Sequence, residues 1–301
     1  MTTVGAQWFY RRGSRKRDGW ECVVDGTLSG WRYTGIRVAA LREETTVTLA
    51  AEPVERIVVP LAGSFTVRYM LAGEADWQIQ KLAGRESVFH GPTDTLYLPT
   101  GTALSIDGTG RVAVAEAPTD TILPAAYVGR TDVPIELRGA GRSSRQVHNF
   151  GTPDSVAADR LIVCEVITPA ENWSSYPPHK HDDYQPGVES HLEEIYYFEA
   201  AVSRGLSAPS VASPFGFMRT YSSEAGAIDI LEEVHSGDVA LVPYGWHGPC
   251  VAAPGYDLYY LNVMAGPDPD RAWQISDDPA LGWIRDTWIG QEIDPRLPYT
   301  D

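Results

Sequence analysis

The sequence predicts an all-β protein built from two similar halves. Short runs of β-branched and aromatic residues follow one another along the chain, whereas long runs with helical periodicity are scarce. The 28 glycines and 22 prolines supply the turns that such strands need. Two stretches of the first half also recur in the second half, which favours a duplicated β-barrel.

The first half contains seven or eight short strand-like segments, a number typical of a sandwich or barrel. Residues 118–158 are rich in Gly and Pro, so we expect the chain to cross between the halves there. We therefore place one domain at 1–135 and a second at 136–301. The strand-like segments of the first half lie at 36–41, 45–49, 55–63, 65–69, 77–80, 94–101 and 111–117.

The second half repeats this scheme and ends in a long tail. The tail, residues 266–301, is rich in Pro and Trp, and we expect it to wrap back over a barrel as loop and short helix. The strand-like segments before it lie at 161–168, 194–199, 215–221, 228–232, 238–243 and 257–264.

The internal repeat is informative both where it holds and where it fails. Residues 94–103 align without a gap on 238–247, and 54–59 align on 192–197. In these alignments Arg56 stands in the place of Glu194, and Ala103 stands in the place of His247. We therefore expect the first barrel to lack metal ligands and to serve as a structural partner.

Charge and composition exclude several function classes. A formal net charge of −16 repels phosphate backbones, so nucleic-acid binding is not expected, and the basic residues within 11–17 are interpreted as a solvated arm. The chain has no apolar run long enough to span a membrane and no signal-peptide core, so we expect a cytoplasmic protein. Cys22, Cys164 and Cys250 lie far apart and indicate neither a disulfide framework nor a cysteine-based zinc site.

One group of residues points to chemistry. His179 and His181 are two positions apart, so on a strand both side chains point to one face. Glu194 opens the aromatic run that follows, and His247 comes just after a Pro-x-Gly turn. Three imidazoles and a carboxylate suit a divalent metal such as Zn, Mn or Fe and leave room for a substrate. Glu193 is the alternative carboxylate ligand. Glu193 and Glu194 point to opposite faces of the strand, so only one of them can face the histidines.

Further residues are candidates for lining the same pocket. His191 lies close in sequence to the glutamates. Arg219 lies on a strand of the metal-bearing half, where its guanidinium could hold a carboxylate in a bidentate manner or lie on the outer face. Tyr259 and Tyr260 point to opposite faces of a strand, so one of them is expected to reach the pocket. Lys180, between the two histidines, is a second candidate for binding substrate.

The metal-ligand pattern resembles that of the cupin superfamily: His-x-His, then a Glu on the next strand, then a Pro-x-Gly turn followed by His. Two spacings depart from the commonest form of this pattern. The segment between His181 and Glu194 is long, and His247 follows Gly245 by two residues instead of three. Neither departure removes a ligand, so the resemblance implies a duplicated cupin with one metal site.

A denser resemblance covers residues 160–290 and is looser in the first half. Residues 178–182, 192–197, 246–250 and 252–266 resemble the family of 5-deoxy-glucuronate isomerases of inositol catabolism. Leu281 departs from that family, which often has His there. The resemblance implies a bicupin that binds a sugar acid and converts 5-deoxy-glucuronate to 5-dehydro-2-deoxy-gluconate.

Under that resemblance the metal ligands are His179, His181, Glu194 and His247. Such an aldose–ketose isomerisation needs either a base that moves a proton or a metal-assisted hydride shift. Glu193, His191 and Tyr259 are the candidate bases, and the sequence does not choose between the two routes.

Two other functions remain open at this point, and we also expect a homo-oligomer. Another metal-dependent cupin enzyme, such as a dioxygenase, would need Fe(II) and consume O₂. A non-catalytic sugar-binding bicupin would use the same fold without turnover, although such proteins usually lose ligands, whereas one complete set survives here.

Overall fold

The computed structural model describes residues 5–300. Residues 1–4 and 301, the outer ends of the two expected domains, lie outside the described residues. Within the described part the chain is nearly all-β, with 23 strands and four short 3₁₀ helices. The 3₁₀ helices are Ala6–Trp8, Arg130–Asp132, Gly141–Ser143 and Gly282–Trp288. No helix in the described range is long and apolar enough to cross a membrane.

Nine strands precede residue 130, and most of them form one eight-stranded sheet. They are β1 (Phe9–Tyr10), β2 (Cys22–Val24), β3 (Gly35–Leu41), β4 (Thr46–Leu49), β5 (Val54–Met70), β6 (Gln78–Arg85), β7 (Thr95–Leu98), β8 (Ala103–Pro118) and β9 (Ala126–Val128). The sheet runs in the order β2-β3-β8-β5-β7-β9, with β4 added on β8 and β6 added on β5.

Fourteen strands follow. They are β10 (Ile135–Arg138), β11 (Arg145–Gly151), β12 (Ile162–Thr168), β13 (Trp173–Ser174), β14 (His179–Lys180), β15 (Asp182–Gln185), β16 (Glu189–His191), β17 (Glu193–Val202), β18 (Gly216–Ser223), β19 (Gly226–Val234), β20 (Val239–Val242), β21 (Trp246–Ala252), β22 (Tyr256–Ala265) and β23 (Ser276–Asp277). A seven-stranded sheet, β1-β20-β17-β22-β12-β11-β10, faces a sheet of β19-β18-β21-β14-β23, with β13 added on β21.

The two large sheets repeat one connectivity, which explains the sequence repeat. In the first, β5 lies between β7 and β8, and β8 pairs with β3. In the second, β17 lies between β20 and β22, and β22 pairs with β12. One edge strand crosses between the halves, because β1 pairs with β20 of the second sheet, whereas β9 pairs with β7 of the first sheet. The division near residue 135 stays a proposal.

The central strands of each large sheet are buried on both faces, and the described residues form three apolar cores. Alternate residues of β5 illustrate the first half: Val58 lies in the interior of its own barrel, while Ile57 packs between the two sheets. In β17, Tyr196 lies inside the second barrel and Ile195 packs between the sheets. The two-residue period of a strand therefore decides whether a side chain reaches a barrel interior or the interface.

A buried ion pair joins the halves across that interface. The guanidinium of Arg85 donates two hydrogen bonds of 2.6 Å to the carboxylate of Glu165, and both side chains are fully buried. His148 Nδ1 lies 2.6 Å from Glu165 Oε1, and the Tyr259 hydroxyl donates to Glu165 Oε2 at 2.8 Å. The carboxylate is thus held by three groups, as a buried charge requires.

Arg56 occupies the interior of the first barrel at the position that Glu194 has in the second. Its side chain is fully buried and donates to Glu116, to the Thr102 carbonyl and to Glu52. A cation bound to a carboxylate and a carbonyl leaves no ligand set for a metal at this point. The first half therefore carries a structural ion pair where the second carries its histidines.

Candidate metal centre

Strand pairing brings the four predicted ligands together inside the second barrel. His179 of β14 is directly opposite His247 of β21, and His181 follows β14 directly. Glu194 is the second residue of β17 on the opposing sheet and faces inward with Tyr196 and Phe198. His181, Glu194 and His247 are at most 2% exposed, and His179 is 8% exposed. The centre is therefore dry, and His179 is its most accessible member.

The ligand atoms converge on the Glu194 carboxylate. His181 Nε2 lies 3.0 Å and His247 Nε2 3.2 Å from Glu194 Oε2. One ligand atom from each of these three residues lies within 4.8 Å of the others. The His179 ring centroid is 4.5 Å from that of His247 and 6.3 Å from that of His181, so His179 completes the cluster from one side.

Backbone carbonyls fix which nitrogen of each ring faces the centre. The Nδ1 atoms of His181 and His247 lie 3.1 Å from the Leu192 carbonyl and 3.0 Å from the Gly245 carbonyl. His179 Nδ1 lies 3.5 Å from the Pro177 carbonyl. A carbonyl only accepts, so Nδ1 carries the proton in each ring and the lone pair is on Nε2. This second-sphere hydrogen bond is the usual partner of a metal-binding histidine.

Burial and mutual charge set the ionisation of the cluster. Burial alone would raise the pKa of Glu194, but its proximity to His181 and His247, whose protonated forms would stabilise the carboxylate, outweighs burial and lowers that pKa to about 2. Burial, reinforced by the other two imidazoles, lowers the pKa of His179 well below 6.5. Glu194 is thus an anion and His179 a neutral imidazole at neutral pH, the forms in which each binds a metal.

The donor set fits a divalent first-row metal. His247 Nε2 is buried, and no described residue gives it a hydrogen bond, although it lies beside the Glu194 carboxylate. Two Nε2 lone pairs facing one carboxylate repel each other unless a proton or a cation lies between them. Three imidazoles and one carboxylate are ligands that Zn, Mn and Fe share.

The structure does not bring Glu193 or Tyr259 to this cluster. Glu193 points to the interface, where its carboxylate accepts hydrogen bonds from the backbone amides of Arg32 and Tyr33 at 2.6–3.0 Å. Tyr259 also faces the interface and donates to Glu165. Both side chains point away from the barrel interior. On β17 the adjacent residue that faces inward is Glu194, and on β22 it is Tyr260.

His191, Lys180 and Arg219 also lie away from the cluster. His191 packs edge-on against Tyr33 of the first half, with ring centroids 6.4 Å apart. The Lys180 ammonium points to the outer side of β14 and is neutralised by Asp182 and Glu189, each at 2.7 Å. Arg219 is exposed on the outer face of β18 and stacks on a neighbouring tyrosine. These three expectations therefore receive no support from the geometry.

The barrel interior contains polar residues that sequence reasoning missed. The hydroxyl groups of Tyr196 and Tyr260 both approach Ser175, at 3.3 and 3.0 Å. Thr220 lies directly opposite His247, and Asn262 directly opposite Tyr196. The Thr220 hydroxyl and the Asn262 amide nitrogen are buried without a partner among the described side chains and backbone groups. The alternation of side chains along a strand could have identified them. Tyr196 is two residues from Glu194 and therefore points to the same face of β17.

A duplicated cupin fold with one buried cluster of three histidines and a glutamate defines a bicupin of the metal-binding type. The sequence matches the KduI/IolB family over residues 8–284. The chain belongs to that family.

Individual relatives agree with this assignment. A 5-deoxy-glucuronate isomerase of Geobacillus kaustophilus is 38% identical over 261 residues, which cover 86% of this chain and 88% of the relative. An IolB-like protein from Salmonella typhimurium superposes with a TM-score of 0.79 at 33% identity, covering 92% of this chain and 98% of that one. An oxalate decarboxylase of Lactobacillus farciminis, with 12% identity, a TM-score of 0.62 and coverage of 92% and 90%, shares the fold alone.

Proposed function

We propose that the protein is a metal-dependent 5-deoxy-glucuronate isomerase that forms 5-dehydro-2-deoxy-gluconate, an aldose–ketose isomerisation of inositol catabolism. The observation that carries the proposal is the convergence of His181 Nε2 and His247 Nε2 on Glu194, with the His179 ring packed beside them, in a member of this family. Relatives named 5-deoxy-glucuronate isomerase match most of this chain and most of their own length, which supports the same activity here.

A divalent metal held by His179, His181, Glu194 and His247 would act as a Lewis acid on the carbonyl and neighbouring hydroxyl of the sugar. The protein contributes the surroundings of that centre. Burial raises the pKa of the Tyr196 phenol well above 10, with the nearby charge of Glu194 adding to the effect. Tyr196 and Tyr260 therefore keep their protons at neutral pH and serve as hydrogen-bond donors to sugar oxygens rather than as bases.

Unpartnered polar groups in the interior suit a polyol. Asn262 offers an amide nitrogen, and Thr220 offers a hydroxyl, beside Tyr196 and His247 respectively. Buried polar groups without a partner carry a free-energy cost that a bound hydroxyl would remove. The same dry interior excludes bulk water from the reacting carbons.

The test is conversion of the sugar acid together with metal analysis. Purified protein should bind about one metal ion per chain and convert 5-deoxy-glucuronate to the ketose, followed by NMR. His179→Ala should lose both metal and turnover and remain folded, with a lower thermal midpoint because a metal bound to the native state stabilises it. Metal-loaded protein that leaves 5-deoxy-glucuronate unchanged, or that consumes O₂ in an oxygen electrode, would contradict the proposal.

Location and assembly belong to the same proposal. The three cysteines are free and buried, which suits a reducing compartment, so we place the protein in the cytoplasm. Association into a homo-oligomer stays a prediction, to be measured by light scattering.

A further inference from the structure

A cavity lined by arginine and tryptophan opens beside the metal-bearing barrel. Its volume is about 460 Å³, a size that suits a small ligand. Strands β10 and β11 form one wall, and the C-terminal tail forms the other. The residues that matter here are Arg138, Arg145, Trp273, Arg285 and Trp288.

Arg145 is the one arginine of this cavity without an anionic partner. Arg138 donates to Glu136 at 2.8 Å, and Arg285 forms a bidentate pair with Asp277. Arg145 is 8% exposed, and its Nη1 approaches only the carbonyls of Ser143 and Tyr176. No described residue accepts a hydrogen bond from its Nε or Nη2.

Leaving such a cation unpaired is costly. Burial lowers the pKa of Arg145 to about 10, and the positive charges of Arg138 and Arg285 contribute to that shift. Trp273 lines the same cavity, and its indole N–H is buried without a partner among the described residues. Unused donors next to an unpaired guanidinium fit an anion that accepts several hydrogen bonds, as a carboxylate does.

Strand phase directs Arg145 of this cavity to the interior side of the barrel that holds the histidines. Arg145 faces inward with Val147, two residues along β11, and Arg138 is its direct partner across the strands. The positive charge of Arg145 acts on the Tyr260 phenol, whose ring lies 5.1 Å from that of Tyr196.

From Tyr196 the path continues to the metal cluster. The Tyr196 ring centroid lies 6.2 Å from that of His247. On the tail side, Asp277, the partner of Arg285, is directly opposite His179 in the pairing of β23 with β14. His179 is also the most exposed of the four predicted ligands.

The neighbouring cavity beside Lys180 is a poor alternative for an acid. It is lined by Asp182, Asp183, Glu189 and Glu224. The one lysine there is already neutralised by two carboxylates. It also lies on the outer side of β14, opposite to the face that His179 presents to the cluster.

We infer that Arg145, assisted by the Trp273 indole, binds the carboxylate of the sugar acid, so that the other end of the substrate lies at the histidine cluster. This inference rests on the proposed function for the identity of the substrate. It assigns the preference for an acid over a neutral sugar to one buried guanidinium, with Arg138 and Arg285 supplying positive potential around it.

Calorimetric binding of D-glucuronate and D-glucose tests this without turnover, because the two sugars differ at the carboxylate. Wild-type protein as purified should bind D-glucuronate at least about 10-fold more tightly than D-glucose, and Arg145→Gln should abolish most of that preference. Arg145→Lys should retain part of it, since an ammonium keeps the charge and loses the bidentate geometry. Arg142→Gln, an exposed neighbour, is the matched control and should bind both sugars as wild type does.

The variants should also keep metal content and thermal midpoint, because removing Arg145 leaves no carboxylate unpaired. An unchanged preference for D-glucuronate in Arg145→Gln would overturn the inference. Equal weakening of both sugars would also overturn it. Loss of metal or of folding in both Arg145 variants would instead make Arg145 a structural residue. If the sugar preference depends on Arg145 but 5-deoxy-glucuronate is not converted, the result supports carboxylate binding by Arg145 and contradicts the proposed isomerase activity.

Discussion

Glu55 and Glu193 occupy equivalent positions in the two halves. Each carboxylate accepts hydrogen bonds from backbone amides of the opposite half, just before a strand of that half begins. Glu193 accepts from the amides of Arg32 and Tyr33, just before β3. Glu55 accepts from the amides of 159–161, just before β12, at 2.6–2.8 Å. These reciprocal contacts, together with the pairing of β1 with β20 of the second sheet, make each barrel depend on the other for its position.

This relationship separates the two neighbouring glutamates of β17. Glu194→Gln should lower metal affinity by more than about tenfold. Mutating a residue that only hydrogen-bonds to a metal ligand already lowers metal affinity roughly 10–100-fold, and Glu194 is itself a predicted ligand. Glu193→Gln should leave metal content unchanged and lower the free energy of unfolding by about 1–3 kcal/mol, since it weakens buried hydrogen bonds to a charged acceptor. Metal analysis and urea unfolding of both variants give the comparison.

Glu55→Gln is the matched control for Glu193→Gln. It removes the same kind of contact from the half that has no histidine cluster, so its loss of stability should be similar and its metal content normal. Metal loss in Glu193→Gln greater than in Glu194→Gln would show that the ligand has been assigned to the wrong carboxylate.

The buried pair of Arg85 and Glu165 predicts a specific pH dependence. Burial raises the pKa of Glu165, but the charge of Arg85 and hydrogen bonds from His148 and Arg85 outweigh it and lower that pKa from 4.5 to about 2. A lowered folded-state pKa stabilises the fold above pH 4.5, and this stabilisation is lost as the pH falls towards 2. The difference corresponds to about 3 kcal/mol.

Glu165→Gln should therefore be less stable than wild type at pH 7 by roughly 3–5 kcal/mol, because a buried guanidinium loses its partner. The difference in the free energy of unfolding between wild type and Glu165→Gln should become smaller as the pH falls from 4.5 to 3, as measured by urea unfolding. The control is Asp107→Asn, which breaks a pair with Arg68 whose side chains are 33% and 47% exposed and should cost at most about 1 kcal/mol. A gap that stays constant with pH would contradict the assignment.

Sequence patterns predicted the architecture well because strand periodicity and the internal repeat survive divergence. The alignment of 54–59 on 192–197 corresponds to the equivalent positions of β5 and β17, and that of 94–103 on 238–247 to β7 and β20. The all-β duplicated fold is therefore confirmed. The addition of β1 to the second sheet was not predicted, because a two-residue edge strand carries almost no periodic signal.

Site residues were harder to predict because the central strands of each large sheet are buried on both faces. In an ordinary half-exposed sheet, apolar alternation tells the two sides apart, whereas Tyr259 and Tyr260 are both at most 1% exposed. Arg145 was missed for another reason: it lies in a Gly- and Pro-rich segment that resembles a linker, and only its pairing with Arg138 places it beside the barrel.

Buried thiols give a third prediction. Burial raises the pKa of Cys22 to about 12 and raises those of Cys164 and Cys250 as well, and only thiolates react readily with disulfide reagents. Native protein should therefore show no fast reaction with a chromogenic disulfide reagent, and urea-unfolded protein should show three reacting thiols per chain. Rapid labelling of any thiol in native protein would contradict the packing of its strand.

Tyr259 and Tyr260 provide a paired test of strand phase. Tyr259→Phe removes a hydrogen bond of 2.8 Å to the buried Glu165 carboxylate, so it should lower the free energy of unfolding by about 1.5–3 kcal/mol and leave kcat/KM unchanged. Tyr260→Phe removes a contact with Ser175 inside the barrel, so it should cost about 1 kcal/mol and lower kcat/KM instead.

Steady-state assays and urea unfolding of both variants measure the two effects independently. Tyr259→Phe should mainly lose stability and Tyr260→Phe should mainly lose activity, because the two adjacent hydroxyl groups face different cores. Loss of activity in Tyr259→Phe with normal activity in Tyr260→Phe would mean that the substrate approaches from the interface between the barrels. The inward-facing wall of Glu194, Tyr196 and Tyr260 would then not be the substrate-binding surface.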